Sequence, residues 1–260
     1  ASGDGTVHFT VSHLGVEVAS GDATVENGKA TWPYTTPGDN NQGYLVTATG
    51  ADGTHAETAL DVSSSWTRFP RMGYLSHFKP TAPAGTDGNT TYESFLFRQP
   101  QDYINKLSQD YHINALQYYD WQYRHEQPVA TGDLENQWPL WYANTYASKK
   151  TISDYVTDAK NANIGSLAYS MAYAANDGYD TNAIKDEWIL RNDDGSYWRR
   201  GLGNQWWVDT PEGTPKPENH MTMMNVNAQG WRDYITDQYV AQKDAFGFDG
   251  THIDTLGQTV

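Results

Sequence analysis

His252 and Asp254 stand two residues apart near the end of the chain, in the run Gly247-Phe248-Asp249-Gly250-Thr251-His252-Ile253-Asp254-Thr255-Leu256-Gly257. The run reads as a short buried strand bounded by glycines. Side chains alternate along a strand, so His252 and Asp254 share one face while Thr251 and Ile253 take the other. A carboxylate at the C-terminal end of a strand that follows a helix sits where α/β barrels place catalytic groups. In that position Asp254 can act as a nucleophile, or it can merely N-cap the next helix. The surrounding chain has to decide.

Three earlier segments aim chemistry-bearing side chains the same way. If four parallel strands line up, the first delivers Ser76 and His77, and the second delivers Tyr119, Asp120, Trp121 and Tyr123. The third delivers Tyr173, with Asn176 and Asp177 just beyond it, and the fourth delivers His252 and Asp254. Aromatic rings, carboxylates and neutral hydrogen-bonding groups around one mouth suit a neutral, polyhydroxylated ligand. Each residue also has a plainer role available: Asp120 as a turn cap, Trp121 as a plug of the barrel end, His252 as a satisfied core histidine. A metal site built from His77, His252, Asp120 and Asp254 would lack the paired His-x-His of amidohydrolase-type barrels, so no metal is expected. A serine hydrolase needs a Gly-x-Ser-x-Gly elbow, and the chain has none. No cofactor is expected.

Glycosidic cleavage needs two carboxyl groups, roughly 5–5.5 Å apart for retention and about 6.5–9.5 Å for inversion. Asp254 is the candidate nucleophile. Asp120 is one option for the acid, but it sits among groups that look like sugar anchors. The acid is therefore expected on a later strand, outside these residues.

The elements that must position these groups follow from patterning. Residues 1–64 alternate apolar and polar in Val7–Val11, Thr24-Val25, Ala30–Tyr34, Gly43–Ala48 and Glu57–Val62, with turns at Glu26-Asn27-Gly28 and Ala51-Asp52-Gly53. Short strands at that spacing predict a small, all-β sandwich of immunoglobulin type, a first strand missing from it, ending near Ser63-Ser64-Ser65. Residues 65–260 switch to strand, loop and helix in repetition. Strands are expected over Arg71–His77, Ile113–Tyr119, Ser166–Tyr173 and Phe248–Asp254. Helices are expected over Pro100–Tyr111, Thr151–Asn163 (with Ser153 as its N-cap) and Gln229–Ala245. A hairpin is expected around Asn192-Asp193-Asp194-Gly195, whose spacing does not match a calcium loop. The alternation implies a parallel sheet with crossover helices. A doubly wound sheet competes, but no Gly-rich phosphate loop follows any strand. The expectation is the first half, about four βα units, of an α/β (β/α)₈ TIM barrel. The other half, in missing C-terminal sequence or in a second chain, is an expected partner.

Composition narrows the ligand. Net charge is −15, from 17 Lys plus Arg against 32 Asp plus Glu. That argues against nucleic acid, whose affinity rests on basic residues meeting phosphates. No apolar run approaches bilayer-spanning length, so no membrane partner is expected. There is no Cys, which removes disulfides and thiolate nucleophiles. The excess is aromatic: 10 Trp and 18 Tyr against 7 Phe. Trp and Tyr join a flat apolar face to a polar edge, the complement of a sugar ring. An acidic, Cys-free, Lys-poor chain fits a secreted bacterial protein.

Phe69–Tyr74, Asn114–His125 (with its run Tyr119-Asp120-Trp121) and Gly247–Gly257 resemble the dextranases and cycloisomaltooligosaccharide glucanotransferases of glycoside hydrolase family 66. The resemblance covers most of residues 66–257, and the family also carries a preceding immunoglobulin-like module. It implies a (β/α)₈ enzyme acting on α-1,6-glucan, dextran or isomaltooligosaccharides, with retention of configuration. Asp254 matches the family's nucleophilic aspartate. The family's acid/base glutamate lies further along the barrel, beyond Val260. Tyr119, Asp120, Trp121, Tyr123, Tyr173, Asn176, His77 and His252 are then the sugar-site candidates. The first reading is an endo-acting dextranase. The cyclising transferase of the same family is the alternative, and a non-catalytic glucan-binding protein is the alternative of another class.

Overall fold

Val7, Phe9 and Val11 recur at period two, so one face of their strand is apolar. In a computed structural model of the protein, which describes residues 5–38, 42–62, 65–80, 99–140, 146–201 and 220–254, they lie on β1 (Thr6–His13). Strands β2 (Val16–Thr24), β3 (Gln42–Gly50) and β4 (His55–Val62) join it in one antiparallel sheet of order β2-β1-β3-β4. This sheet makes up most of a compact unit spanning residues 1–70. Among its described residues the buried ones are Val7, Val11, Val25 and Tyr44.

Two expectations are corrected here. The strand expected at Thr24-Val25 is the end of the longer β2, and Ala30–Tyr34 joins no ladder. Instead it packs over the sheet. Trp32 stacks on Phe9 at 5.9 Å between ring centroids, and Tyr34 stacks on Trp32 at 5.6 Å. Gly21 is paired across the ladder with Phe9 and leaves the room that the indole fills. A Cβ there would stand 2.2 Å from Trp32 Nε1. Two of the serines expected at the boundary, Ser63 and Ser64, lie outside the described residues.

The second unit spans residues 71–260. Its frame is a parallel sheet of β5 (Met72–Leu75), β6 (Ala115–Tyr118), β9 (Gly165–Ser170) and β13 (Gly250–Ile253). Spatial order follows chain order, with no reversal that would mark a switch point. Helix α1 (Pro100–Gln109) links the first pair, α2 (Lys149–Asn161) the second and α3 (Gln229–Phe246) the third. Between β6 and α2 lies the hairpin β7 (Gln137–Pro139) with β8 (Tyr146–Ser148). Between β9 and α3 lies a small antiparallel sheet of β10 (Ala174–Asn176), β12 (His220–Met223) and β11 (Arg199–Gly201).

Helix α2 shows why these segments fold as they do. Ile152, Tyr155, Val156 and Ala159 are buried at helical spacing and form one stripe. The N-cap is Ser148, whose side chain accepts from Thr151 N–H, and not Ser153. Helix α3 ends at Gly247, which takes φ +80 and closes on Lys243 O at 2.7 Å. Only a left-handed residue reverses the chain there into β13, and glycine adopts that conformation without a Cβ penalty.

The stripes of α1 and α2 and the last turn of α3 belong to one cluster with Leu116, Tyr118, Ala168, Phe248, Trp121 and Trp138. Leu116, Tyr118 and Ala168 mark the helix-facing side of the sheet. By alternation, Tyr119, Tyr169, His252 and Asp254 belong to the other side. A second cluster, around Met224, Trp231 and Ile235, holds the small sheet against α3.

Gly21→Ala should destabilise the N-terminal unit by about 1–3 kcal/mol, because the added methyl displaces Trp32. Denaturant unfolding followed by Trp fluorescence measures this, and unchanged stability would show that the indole is not anchored there.

Candidate active site

Tyr119, Tyr169 and His252 occupy neighbouring strands on one face, and register brings them together. Leu116 pairs with Ser166 and Tyr118 with Ala168, so Tyr119 stands beside Tyr169. Their rings are 4.5 Å apart. His252 is paired directly with Tyr169 on β13, with rings 6.4 Å apart. Asp254 follows the end of β13, and its N–H donates to Ser170 O at 2.9 Å. The Tyr169 hydroxyl donates to Asp254 Oδ2 at 2.8 Å. On the opposite face of β13, Thr251 receives a hydrogen bond from Gln242 of α3 at 2.7 Å. The alternation read from the sequence therefore holds for His252, Asp254 and Thr251.

Asp120 begins the loop after β6 with φ +51. Aspartate tolerates this left-handed conformation better than most residues. The turn separates two destinations. Tyr119 stays on the site face, 38 % exposed, whereas Trp121 swings back to the helix side and is fully buried. Its indole packs edge-on against Phe246 and tilted against Phe248, each at 5.0 Å, and Nε1 donates to Tyr169 O at 3.3 Å. The expectation that Trp121 flanks a sugar is thus corrected: its ring has no exposed face to offer.

The rest of that loop is tied down. Arg124 Nη2 donates to Asn176 O at 2.7 Å and to Asp177 O at 2.6 Å, while its Nε pairs with Glu126. Glu126 Oε2 accepts Asn176 N–H at 2.9 Å, and Asn176 Oδ1 accepts His125 N–H at 2.7 Å. Asn176, expected to face a sugar, is a buried clamp between β10 and the loop. Tyr173 is partly buried against the main core, and its carbonyl accepts Met224 N–H at 2.8 Å. Tyr123 leans under the Arg124 guanidinium, 5.9 Å from its ring centre. His77 follows β5, with Ser76 Oγ 3.1 Å from its Nδ1.

Among the expected residues, the structure joins Asp254, Tyr119 and Asp120 into one electrostatic group, with the His252 ring beside Tyr169. It leaves Trp121 and Asn176 in structural roles. Tyr169 and His125 were not anticipated. The alternation on the third strand held the signal for Tyr169, but the sequence reading ended that strand at Tyr173, whereas β9 ends at Ser170. Among the described residues no three His, Asp or Glu gather closely enough to hold a metal ion.

Electrostatics sharpen the roles. Burial pushes the Asp120 carboxyl up to about 7, a hydrogen bond from Gln122 opposes this, and the Asp254 charge adds to it. Asp120 Oδ1 is buried and has no hydrogen-bond partner among the described residues. Burial and the adjacent Arg124 charge push His125 down to about 3, so it stays neutral. Burial, with Asp120 and Asp254 nearby, raises the Tyr169 phenol far above its ordinary range, so it remains a donor to Asp254. The group therefore comprises a carboxylate oriented by a phenol, a second carboxyl able to hold a proton near neutrality, and aromatic faces beside both. That set can bind hydroxyls and present a nucleophile.

Residues 1–260 match the family model of glycosyl hydrolase family 66. The chain belongs to that family. It is 30% identical over 265 residues to a cycloisomaltooligosaccharide glucanotransferase of Niallia circulans, covering 99% of this chain and 25% of that protein. A dextranase of Streptococcus salivarius is 24% identical over 227 residues, covering 84% of this chain and 25% of that one. Among solved structures, the Paenibacillus sp. cycloisomaltooligosaccharide glucanotransferase complexed with cycloisomaltoheptaose matches with a TM-score of 0.67 and 28% identity. That match covers 99% of this chain and 34% of the other. The chain spans about a quarter of the length of these curated relatives.

Asp120 yields a pH prediction. The unfolded chain loses this proton near pH 4, whereas the folded protein holds it until about 7. Stability should therefore fall as pH rises between those values and level off above them. Asp120→Asn should remove that slope and raise the melting temperature by several degrees at pH 8 relative to the wild type, with little change at pH 4. Calorimetry across this range checks it. Parallel wild-type and variant curves would show that Asp120 ionises normally.

Proposed function

We propose that this chain carries the nucleophile side of a retaining glucan-cleaving site, with Asp254 attacking the anomeric carbon of an α-1,6-linked glucosyl unit in dextran or an isomaltooligosaccharide. The observation that carries the reading is Asp254 at the C-terminal end of the parallel strand β13, oriented by the Tyr169 hydroxyl at 2.8 Å on an aromatic, partly open face. Family membership supports it. We read the four parallel strands as the first four of a (β/α)₈ barrel, consistent with their unreversed order. The antiparallel unit before them is read as an accessory module of immunoglobulin type.

In the reaction, an Asp254 oxygen bonds to the anomeric carbon as the bond from that carbon to the leaving oxygen breaks. A general acid protonates the leaving oxygen. Water or a sugar hydroxyl then attacks the same carbon, gives its proton to that group, and releases Asp254. The acid is assigned to a later strand, as the family resemblance implies. Tyr169 keeps one Asp254 oxygen occupied and so turns the carboxylate toward its target. Tyr119 and His252 supply ring faces and a hydrogen-bonding edge for the sugar. Asp120, protonated for part of the time near neutrality, can donate to or accept from a hydroxyl. A polymeric substrate, and relatives from bacteria, favour action outside a bacterial cell.

A dextranase releases linear products and a glucanotransferase of this family closes rings. The higher identity and coverage of the Niallia circulans glucanotransferase, 30% and 99% against 24% and 84% for the dextranase, favour giving the cyclising alternative equal weight.

In the complete protein, Asp254→Asn should abolish turnover of dextran while leaving the fold and glucan binding in place. Retained turnover would sink the nucleophile assignment and, with binding unchanged, loss of turnover would argue against a purely binding protein. Tyr169→Phe should lower kcat by about 10- to 100-fold, the value of a hydrogen bond to a charged group of about 1.5–3 kcal/mol. Chromatography of the wild-type products, rings against linear chains, separates the two activities.

A further inference from the structure

A cleft of ≈ 210 Å³ opens beside the loop that follows β6, and neither Asp254 nor Asp120 lines it. Tyr123, Arg124, Glu126, Gln127, Asp180 and Tyr234 form its walls. It is smaller than the ~300–1,000 Å³ of sites for drug-sized ligands and suits a single ring.

The charged wall is already committed. Arg124 is bound to Glu126 and to two carbonyls of β10 and the residue after it, and Glu126 also accepts Asn176 N–H. These bonds make the wall stiff and leave its ion pair satisfied. Asp180 Oδ1 accepts Asn182 N–H at 2.8 Å. An anion would meet two carboxylates, and a cation would meet the Arg124 guanidinium.

What remains is neutral. The hydroxyls of Tyr123 and Tyr234 and the amide of Gln127 make no side-chain hydrogen bond among the described residues, and all three side chains are half-buried. Tyr234 is held by its ring, stacked on Trp231 at 5.8 Å and tilted against Trp188 at 6.1 Å. Two tyrosines and one glutamine line a ring-sized space together with the apolar Ala183 and Ile184, a set that matches the hydroxyl rim and C–H face of a hexose.

The cleft also shares its wall with the reaction centre. His125 lies between Arg124 and Glu126, and its ring is 6.3 Å from Tyr169, which holds Asp254. We propose that this cleft is a second sugar subsite, holding one hexose unit of the glucan whose reacting unit lies at Asp254. It rests on the glucan-cleaving reading above and adds a residue set that selects for chain length. Tyr123, expected among the sugar-site residues, is assigned to this remote unit.

The test uses the complete protein carrying Asp254→Asn, so that substrate survives, and titrates linear isomaltooligosaccharides of increasing length by calorimetry. Affinity should step up about tenfold once the chain reaches from Asp254 to the cleft. Ala183→Phe, which fills the cleft, should erase that step and leave the affinity of shorter chains as it was. Tyr234→Phe and Gln127→Ala, which remove only polar groups, should each reduce the step by about threefold, and they keep the test valid if Ala183→Phe fails to fold. An identical length profile in folded variants overturns the subsite and leaves the reading at Asp254 intact. Failure of the Asp254→Asn protein to bind any isomaltooligosaccharide overturns both.

Discussion

The candidate site depends on the pairing of β13 with β9. That ladder sets His252 beside Tyr169 and Thr251 beside Ala168, and everything chemical follows from it. Because side chains alternate, a slip of one residue would turn His252 and Asp254 toward the helices and present Thr251 and Ile253 in their place. Several contacts on both sides resist such a slip. Gln242 of α3 grips Thr251 from the helix side, Asp249 N–H and its side chain close on Ser166 at 2.8 Å each, and Tyr169 reaches Asp254 from the other side. The left-handed turn at Gly247 delivers the chain into this register immediately after α3.

Packing then divides the labour between the two sheet faces. The helix side is close-packed around Tyr118, Phe248, Trp121 and Trp138 and supplies the hydrophobic stabilisation. That leaves the other face free to carry groups that a core would exclude: two aspartates, a histidine and tyrosines. Placing a buried carboxyl near a second negative charge costs free energy unless one of them holds a proton. Asp120, deep and pushed up to about 7, is the one positioned to do so. The site is thus tuned by desolvation as much as by any single contact.

The loop after β6 is stiffened by a different device. An Arg–Glu pair and the Asn176 amide tie it to β10, so that Tyr119, Asp120 and His125 are held from both ends. Buried charges are tolerated there because each is hydrogen-bonded to backbone as well as to its partner. The same bonds form one wall of the neighbouring cleft, and rigidity at one site is therefore inherited by the other.

Much of this was legible in the sequence. Period-two patterning and glycine placement located β6 and β13, the helical stripes located α1 to α3, and alternation alone put His252 and Asp254 on one face. The aromatic excess suggested a sugar ligand, and three local segments carried the resemblance to the family. Other features were not legible, because they depend on where the chain turns in space. Trp121 reads like Tyr119 in sequence, yet one left-handed residue, Asp120, sends the first into the core and leaves the second at the site. Ser166–Tyr173 looks like one strand, yet pairing stops at Ser170, which makes Tyr169 the residue that meets Asp254. Asn176 carries the chemistry of a sugar ligand, but the backbone of His125 claims its amide. Local sequence determined periodicity, and therefore which residues share a face. Tertiary contacts decided where each strand ends and which polar groups are already occupied, because those outcomes are set by partners tens of residues away.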